Sequence, residues 1–253
     1  MEQFHVEPVL GGHLSIAGYD VSFTNSALFM VVVGALLALF MWGGLRQRLV
    51  PGRWQLMAEG AVGFIENMTA TNIGKKDGKK FAPYIFSIFF FILFANFVGV
   101  LPLAIVPGLH TFAVTSHITV TAVLAFLSFG IVLFVGLFRH GLKFFTLFVP
   151  HGAPLWLMPV IIPVELISFL VRPFSLGLRL FVAMTAGHIL LEVFGSFVVQ
   201  GFNAGGPLGW LVSLLSFVMI VGVSALELLV CAIQAYVFAL LTSLYLHDAV
   251  HLH

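Results

Sequence analysis

The sequence predicts an all-α integral membrane protein, with about five membrane helices plus an amphipathic surface helix. Three observations predict it. Of 253 residues, 60% are hydrophobic and only 8% charged, with a mean hydropathy of +1.12, whereas soluble domains carry about 25% charged residues. Uncharged apolar runs recur that are long enough to cross a hydrocarbon core of about 30 Å. The few charges inside those runs fall at helical spacing. The net charge of +1 argues against nucleic acid as a partner. Cys231 is the single cysteine, so no internal disulfide can form and the redox compartment is not readable.

Residues 1–25 lack the basic start and short apolar core of a signal peptide and read as a polar arm outside the bilayer. Residues 27–45 are an uncharged run of sufficient length for a first span. A basic loop follows: Arg46, Arg48, Arg53, Lys75, Lys76, Lys79 and Lys80 are 7 of the 11 Lys and Arg. Inside it Trp54, Met57, Ala61, Phe64 and Met68 recur at helical spacing, which predicts an amphipathic helix over 53–72 on the membrane surface, with a docking site for a partner as the functional alternative. Residues 84–105 form the second span, near whose end Asn96 either bonds a neighbouring helix or belongs to a polar path. Residues 118–138 are the third. Residues 144–159, rich in Phe and Pro, read as a connector at the surface. His110, His117, His140 and His151 are read as interfacial or satisfied histidines, and no His, Cys or carboxylate group has metal-ligand spacing.

The loop 106–117 has no Lys or Arg, while Arg139 and Lys143 follow the third span. By the positive-inside rule both basic loops are cytoplasmic, with the N-terminus outside and the C-terminus inside. The last two elements are 160–198 and 207–247, with a turn marked by Gly201, Gly205, Gly206, Pro207 and Gly209. Each would be about 60 Å long as one helix, twice the core thickness, so each is either broken or steeply tilted.

These two elements carry the polar residues. Glu165, Ser168, Arg172, Ser175 and Arg179 step by 3, 4, 3 and 4 and share one helical sector, although Pro173 disturbs the phasing. His188 and Glu192 make a second patch on the same helix, either as part of a path or as a local contact one turn apart. On the last helix Ser224, Glu227, Cys231 and Gln234 step by 3, 4 and 3. A charge at the centre of a bilayer costs roughly 2.5–3.5 kcal/mol on insertion scales, so such residues usually face protein or a water-filled path. Ser168 and Ser175 have the simpler reading of hydroxyls bonded one turn back. Tyr236 reads as packing or an interface anchor, and Cys231 as a small filler.

The run RPFSLGLRLFVAMTAGH resembles the signature of subunit a of the rotary F-type ATP synthase, in which a Ser-Leu-x-x-Arg-Leu run carries one essential arginine. Here that run is Ser175-Leu176-Gly177-Leu178-Arg179-Leu180. Asn96-Phe97-Val98-Gly99-Val100-Leu101-Pro102 is similar to the family's Asn-x-x-Gly-x-x-Pro element, and Glu227 with Gln234 to its later polar pair. The resemblance covers the chain from about Phe81 onward and more loosely its start. The pairing of His188 with Glu227 resembles the alphaproteobacterial and mitochondrial pattern. Where the family commonly has asparagine four residues after the arginine, this chain has Ala183.

The resemblance implies two long helices lying nearly flat along a rotor ring. It implies a stationary proton-conducting subunit with two offset aqueous half-channels, and Arg179 as the cation facing the rotor carboxylates. It places His188 and Glu227 in the outer half-channel with Asn96, Glu192 and Gln234 near it. It places Glu165, with Ser168 and Ser175, toward the cytoplasmic side; Arg172 is either part of that path or an anchor to lipid or a neighbouring subunit. The partners implied are the c-subunit ring, the peripheral-stalk b subunits, the rest of the complex and the bilayer, in a bacterial inner membrane or alternatively a mitochondrial one. No cofactor is expected; without a phosphate-binding Gly-rich loop, nucleotide chemistry falls to other subunits. A proton-coupled secondary transporter is the competing reading; it would usually show internal repeats. The third is a membrane anchor whose charges only hold helices together.

Overall fold

The computed structural model describes residues 15–16, 19–20, 25–44, 52–100, 114–141, 143–144 and 157–251. Most of the 1–25 arm, Arg46, Arg48, Pro102, His110, His151 and most of the 144–159 connector lie outside the described residues. Six α-helices occupy nearly all of the rest: α1 (Asn25–Gly44), α2 (Arg53–Asn72), α3 (Lys75–Val100), α4 (Ile118–His140), α5 (Met158–Ala204) and α6 (Gly206–Val250). A 3-10 turn, Val114–Ser116, precedes α4. Within the N-terminal arm Ser15–Ile16 (β1) pairs antiparallel with Tyr19–Asp20 (β2). Five of the helices, all but α2, are long and apolar enough to cross a membrane.

The third helix is the hub, because its residues enter all three apolar clusters. Ile85 and Phe90 meet Ile65 of α2, Val132 of α4, Phe169 of α5 and Leu246 of α6. Ile88 and Ile92 meet Leu176 and Leu180 of α5 with Ala235 and Phe238 of α6. Ala95 and Val98 meet Phe29 and Val33 of α1. Lipid is as apolar as these side chains, so close packing rather than the hydrophobic effect holds the helices together.

α3 begins at Lys75, well before the apolar stretch that sequence alone marks as a span. Lysine is a good helix former, and Asp77 in the first turn suits the positive end of the helix dipole. Asp77 also bonds Arg139 of α4 at 3.1 Å and Lys80 at 3.4 Å. Hydropathy locates the membrane core, not the helix end, and Pro83 continues within the helix rather than starting it. α2 follows the expected 53–72 bounds, but its contacts are more extensive than those of a free surface helix. Ala58, Ile65 and Met68 are buried, Asn72 donates to Ser243 Oγ of α6 at 2.8 Å, and Trp54, Leu56, Met57 and Phe64 face outward.

α5 and α6 are each continuous, with 47 and 45 residues. Pro163 and Pro173 lie inside α5 without ending it. At 1.5 Å per residue each helix is about 70 Å long, more than twice the roughly 30 Å core. Large apolar side chains are exposed along almost the whole length of both, from Val160 to Phe202 and from Leu208 to Leu244. A perpendicular crossing would leave much of that surface in water; a steep tilt keeps it in lipid. The turn between them is narrower than the glycine-rich stretch suggests: only Gly205 is outside a helix, at φ 61°, where a side chain would be strained. Gly201 and Gly209 instead serve the close crossing beyond it. A Cβ on Gly201 would lie 2.7 Å from the Gly209 carbonyl oxygen.

Candidate functional site in the seam between the long helices

Apolar packing sets the rotation of α5. Leu176 and Leu180 are buried against the hub and Gly177 against Thr121 and Ala125 of α4, so Leu178 and Arg179 point outward. Arg179 is exposed and makes no hydrogen bond or ion pair with any described residue. It therefore sits as a bare guanidinium on the outer face of a helix whose neighbours there, Phe174, Leu178 and Val182, are exposed apolar residues.

The sequence placed five polar residues on one stripe, but the structure gives them different surroundings. Arg172 turns inward to α6. Its Nη1 donates to Asp248 Oδ2 at 3.0 Å, and its guanidinium lies 5.4 Å from the Phe169 ring centroid and 5.0 Å from that of Tyr245. Ser175 donates to the Arg172 carbonyl oxygen at 3.0 Å, the back-bonding pattern of a helical serine. Ser168 is exposed, and Glu165 is half-buried with no hydrogen bond or ion pair to a described residue. Asp248 and Tyr245, the partners of Arg172, were not among the residues read from sequence. Their spacing of three on α6 puts both on the side facing α5.

On the far side of Arg179 the seam holds a buried polar cluster. His188 Nδ1 lies 3.9 Å from Glu227 Oε1, with Glu227 2% exposed. Gly187 makes room for that carboxylate: a Cβ there would lie 2.5 Å from Oε1. One turn further along α6, Cys231 packs with its Sγ 3.7 Å from Met184 Sδ, and its backbone carbonyl accepts from Asn96 Nδ2 at 3.4 Å. Gln234 continues the same face and is buried. Ser224, which begins the stripe in sequence, is only half-buried. Glu192 lies one turn beyond His188 and is half-buried. Tyr236 faces outward, its ring 6.0 Å from that of Phe64 on α2.

Several polar atoms here are buried with no hydrogen-bond partner among the described residues: Asn96 Oδ1, Thr185 Oγ1, His188 Nε2, Gln234 Nε2 and both Glu227 oxygens. A buried polar atom left unpaired costs about 1–3 kcal/mol, and more for a charged group, so this concentration is energetically unusual for an apolar helix seam. Thr185 and Met184 were missed in the sequence; a lone threonine in an apolar helix carries no signal until its neighbours are known. No group of three or more His, Cys, Asp or Glu able to hold a metal occurs among the described residues. Along α5, Glu165 lies about 21 Å to one side of Arg179 and His188 about 14 Å to the other.

The fold and seam thus define a polytopic membrane subunit with an ionisable track on two long helices. The profile of the ATP synthase A chain family matches residues 27–247, and the chain belongs to that family. Proteins named ATP synthase subunit a are similar over its whole length. That of Sphingopyxis alaskensis is 63% identical over 254 residues, covering 100% of this chain and 96% of the relative. That of Rhizorhabdus wittichii is 60% identical over 253 residues, with the same coverage. That of Zymomonas mobilis is 56% identical over 260 residues, covering 100% of this chain and 97% of the relative.

Proposed function

We propose that this chain is the stationary proton-conducting subunit of a rotary ATP synthase, and that Arg179 is the cation past which the rotor carboxylates move. The observation that carries the reading is Arg179 itself: an arginine on an outward, apolar face with no hydrogen bond or ion pair to any described residue. A guanidinium stays charged at any accessible pH, and holding it in lipid unpaired is costly. A carboxylate on a facing subunit removes that cost. A fixed cation in turn favours the ionised form of the facing carboxylate, so a proton is released there. The same charge opposes a free proton crossing directly.

The outer half-channel is the buried cluster of His188, Glu227, Asn96 and Gln234, with Glu192 at its edge. Water satisfies their unpaired atoms, and histidine titrates near neutral pH, which suits proton relay. Glu165, with Ser168 one turn away and Ser175 further along toward Arg179, lies toward the cytoplasmic half-channel. The separation of these groups on opposite sides of Arg179 supports two paths that do not join. Ala183 stands one turn after Arg179 and offers no polar atom, so the path does not pass through that side chain. Each proton crossing releases about 2.3 kcal/mol per 100 mV, the energy that turns the ring.

By this reading the partners are the c-subunit ring, the peripheral-stalk b subunits and the catalytic sector, in a bacterial inner membrane. The N-terminus is outside and the basic loops and C-terminus are cytoplasmic. ATP-driven proton pumping by vesicles carrying the assembled complex tests it. Arg179→Ala should abolish pumping with the subunit still present; unchanged pumping would overturn the assignment.

A further inference from the structure

We propose that α1, α2 and α3 form a binding site for a phospholipid with an anionic headgroup, apart from the proton path. Two clefts meet there. One, of about 380 Å³, is lined by Leu37 and Met41 of α1, Val62 and Ile65 of α2, and Pro83 and Phe86 of α3. That volume lies within the range of small-molecule sites, roughly 300–1,000 Å³. The other, of about 350 Å³, is lined by Asn67 and Ala70 of α2 and by Lys75 and Lys76 of α3. Glu66 and Lys79 line both, so the apolar cleft opens directly onto the basic one.

The charges there are unspent. Lys75, Lys76 and Lys79 are exposed and form no ion pair with a described residue, whereas Lys80 and Arg139 are both engaged by Asp77. Three ammonium groups against the one carboxylate of Glu66 leave the rim positive. Its depth fits a headgroup. α3 has 26 residues, about 39 Å at 1.5 Å per residue. That exceeds the roughly 30 Å core by about two turns, so its first turns lie at the level of lipid phosphates. Basic pockets between membrane helices at this level bind anionic headgroups. From Lys79 the groove descends to Phe86, about 10 Å deeper along the axis, where an acyl chain lies against Val62, Ile65 and Leu37. A transmembrane helix of another subunit would fill the apolar cleft but leave the three lysines without counter-charge, so an amphiphile with a phosphate fits both halves.

The test uses the purified, assembled complex, exchanged into detergent with phosphatidylglycerol or phosphatidylcholine and washed. Retained lipid is counted by native mass spectrometry. Wild type should retain phosphatidylglycerol in preference to phosphatidylcholine. The exposed triple variant Lys75→Gln/Lys76→Gln/Lys79→Gln should retain at least tenfold less, since each basic residue near the surface is worth about fivefold. The matching triple arginine variant keeps the charge and should retain the lipid, which separates charge loss from misfolding. Equal retention of the two lipids by wild type, or equal phosphatidylglycerol retention by wild type and the glutamine variant, would overturn the proposal. So would protection of the cleft by a neighbouring subunit, seen as a cross-link from Val62→Cys with no lipid retained.

Discussion

Arg172 and Arg179 sit two turns apart on α5, about 10 Å along its axis, and carry the same cation. Arg172 has a carboxylate at 3.0 Å and two aromatic faces, all but one supplied by α6. Arg179 has no hydrogen bond or ion pair with any described residue. The first is satisfied when the subunit folds, so its contribution is to stability. On the proposed function the second is satisfied by a carboxylate from a facing subunit, so its contribution would belong to the assembled complex. Spacing alone cannot separate them, because seven residues bring a helix back to nearly the same face. What separates them is the neighbouring helix: Tyr245 and Asp248 reach Arg172, while Arg179 has turned past the buried Leu180 onto the open side.

Mutations can break or sharpen that contrast. The largest effect is expected at Arg179. Its change to Gln should reduce gradient-driven ATP synthesis to background, at least roughly 100-fold, the scale of removing one preorganised electrostatic group. Subunit content and thermal stability should be unchanged, and quantitative immunodetection beside the synthesis assay checks both. Next comes Glu227→Gln, measured as passive proton uptake after an imposed pH step. Positioned proton-transfer groups contribute roughly 10²–10⁴ in rate, so uptake should fall by about 100-fold. A rate equal to wild type would remove Glu227 from the path. Gly187→Ala should act on the same assay more weakly. Its Cβ displaces the end of the Glu227 side chain from beside His188, slowing uptake several-fold without loss of subunit. The smallest functional effect is expected at Arg172→Ala. The ion pair is partly exposed and contributes about 0–1 kcal/mol, with about 0.5–1 kcal/mol for each ring contact. The result should be a subunit unfolding a few degrees earlier, with pumping per assembled complex retained.

The fold was largely legible in the sequence because membrane helices declare themselves by length and apolarity. The spans, the amphipathic stretch at 53–72 and the two long final elements all rest on that signal. The length of 160–198 and 207–247 posed a choice between broken and tilted helices that periodicity could not decide. The unbroken helices across Pro163 and Pro173 decided it. The start of α3 was not legible, since Lys75–Lys80 are too polar for a span yet helical through Asp77 and its partners. Within the candidate site, the 3- and 4-residue steps marked Glu227, Cys231 and Gln234 as one face, and all three are buried together. The same signal on α5 over-grouped its residues. Arg172 pairs with a residue 76 positions away, a relation that only the helix–helix register creates. Thr185 was invisible for the same reason, since it stands out only through an unpaired hydroxyl, and the space that Gly187 leaves for Glu227 likewise depends on helix register.

The most direct test of the account sets the two arginines against each other in one assay. Vesicles carrying wild type, Arg172→Ala or Arg179→Ala complexes are energised with ATP, and proton pumping is divided by the amount of assembled subunit. The account predicts a ratio near wild type for Arg172→Ala and background for Arg179→Ala. Equal losses in both variants, or pumping retained by Arg179→Ala, would contradict it.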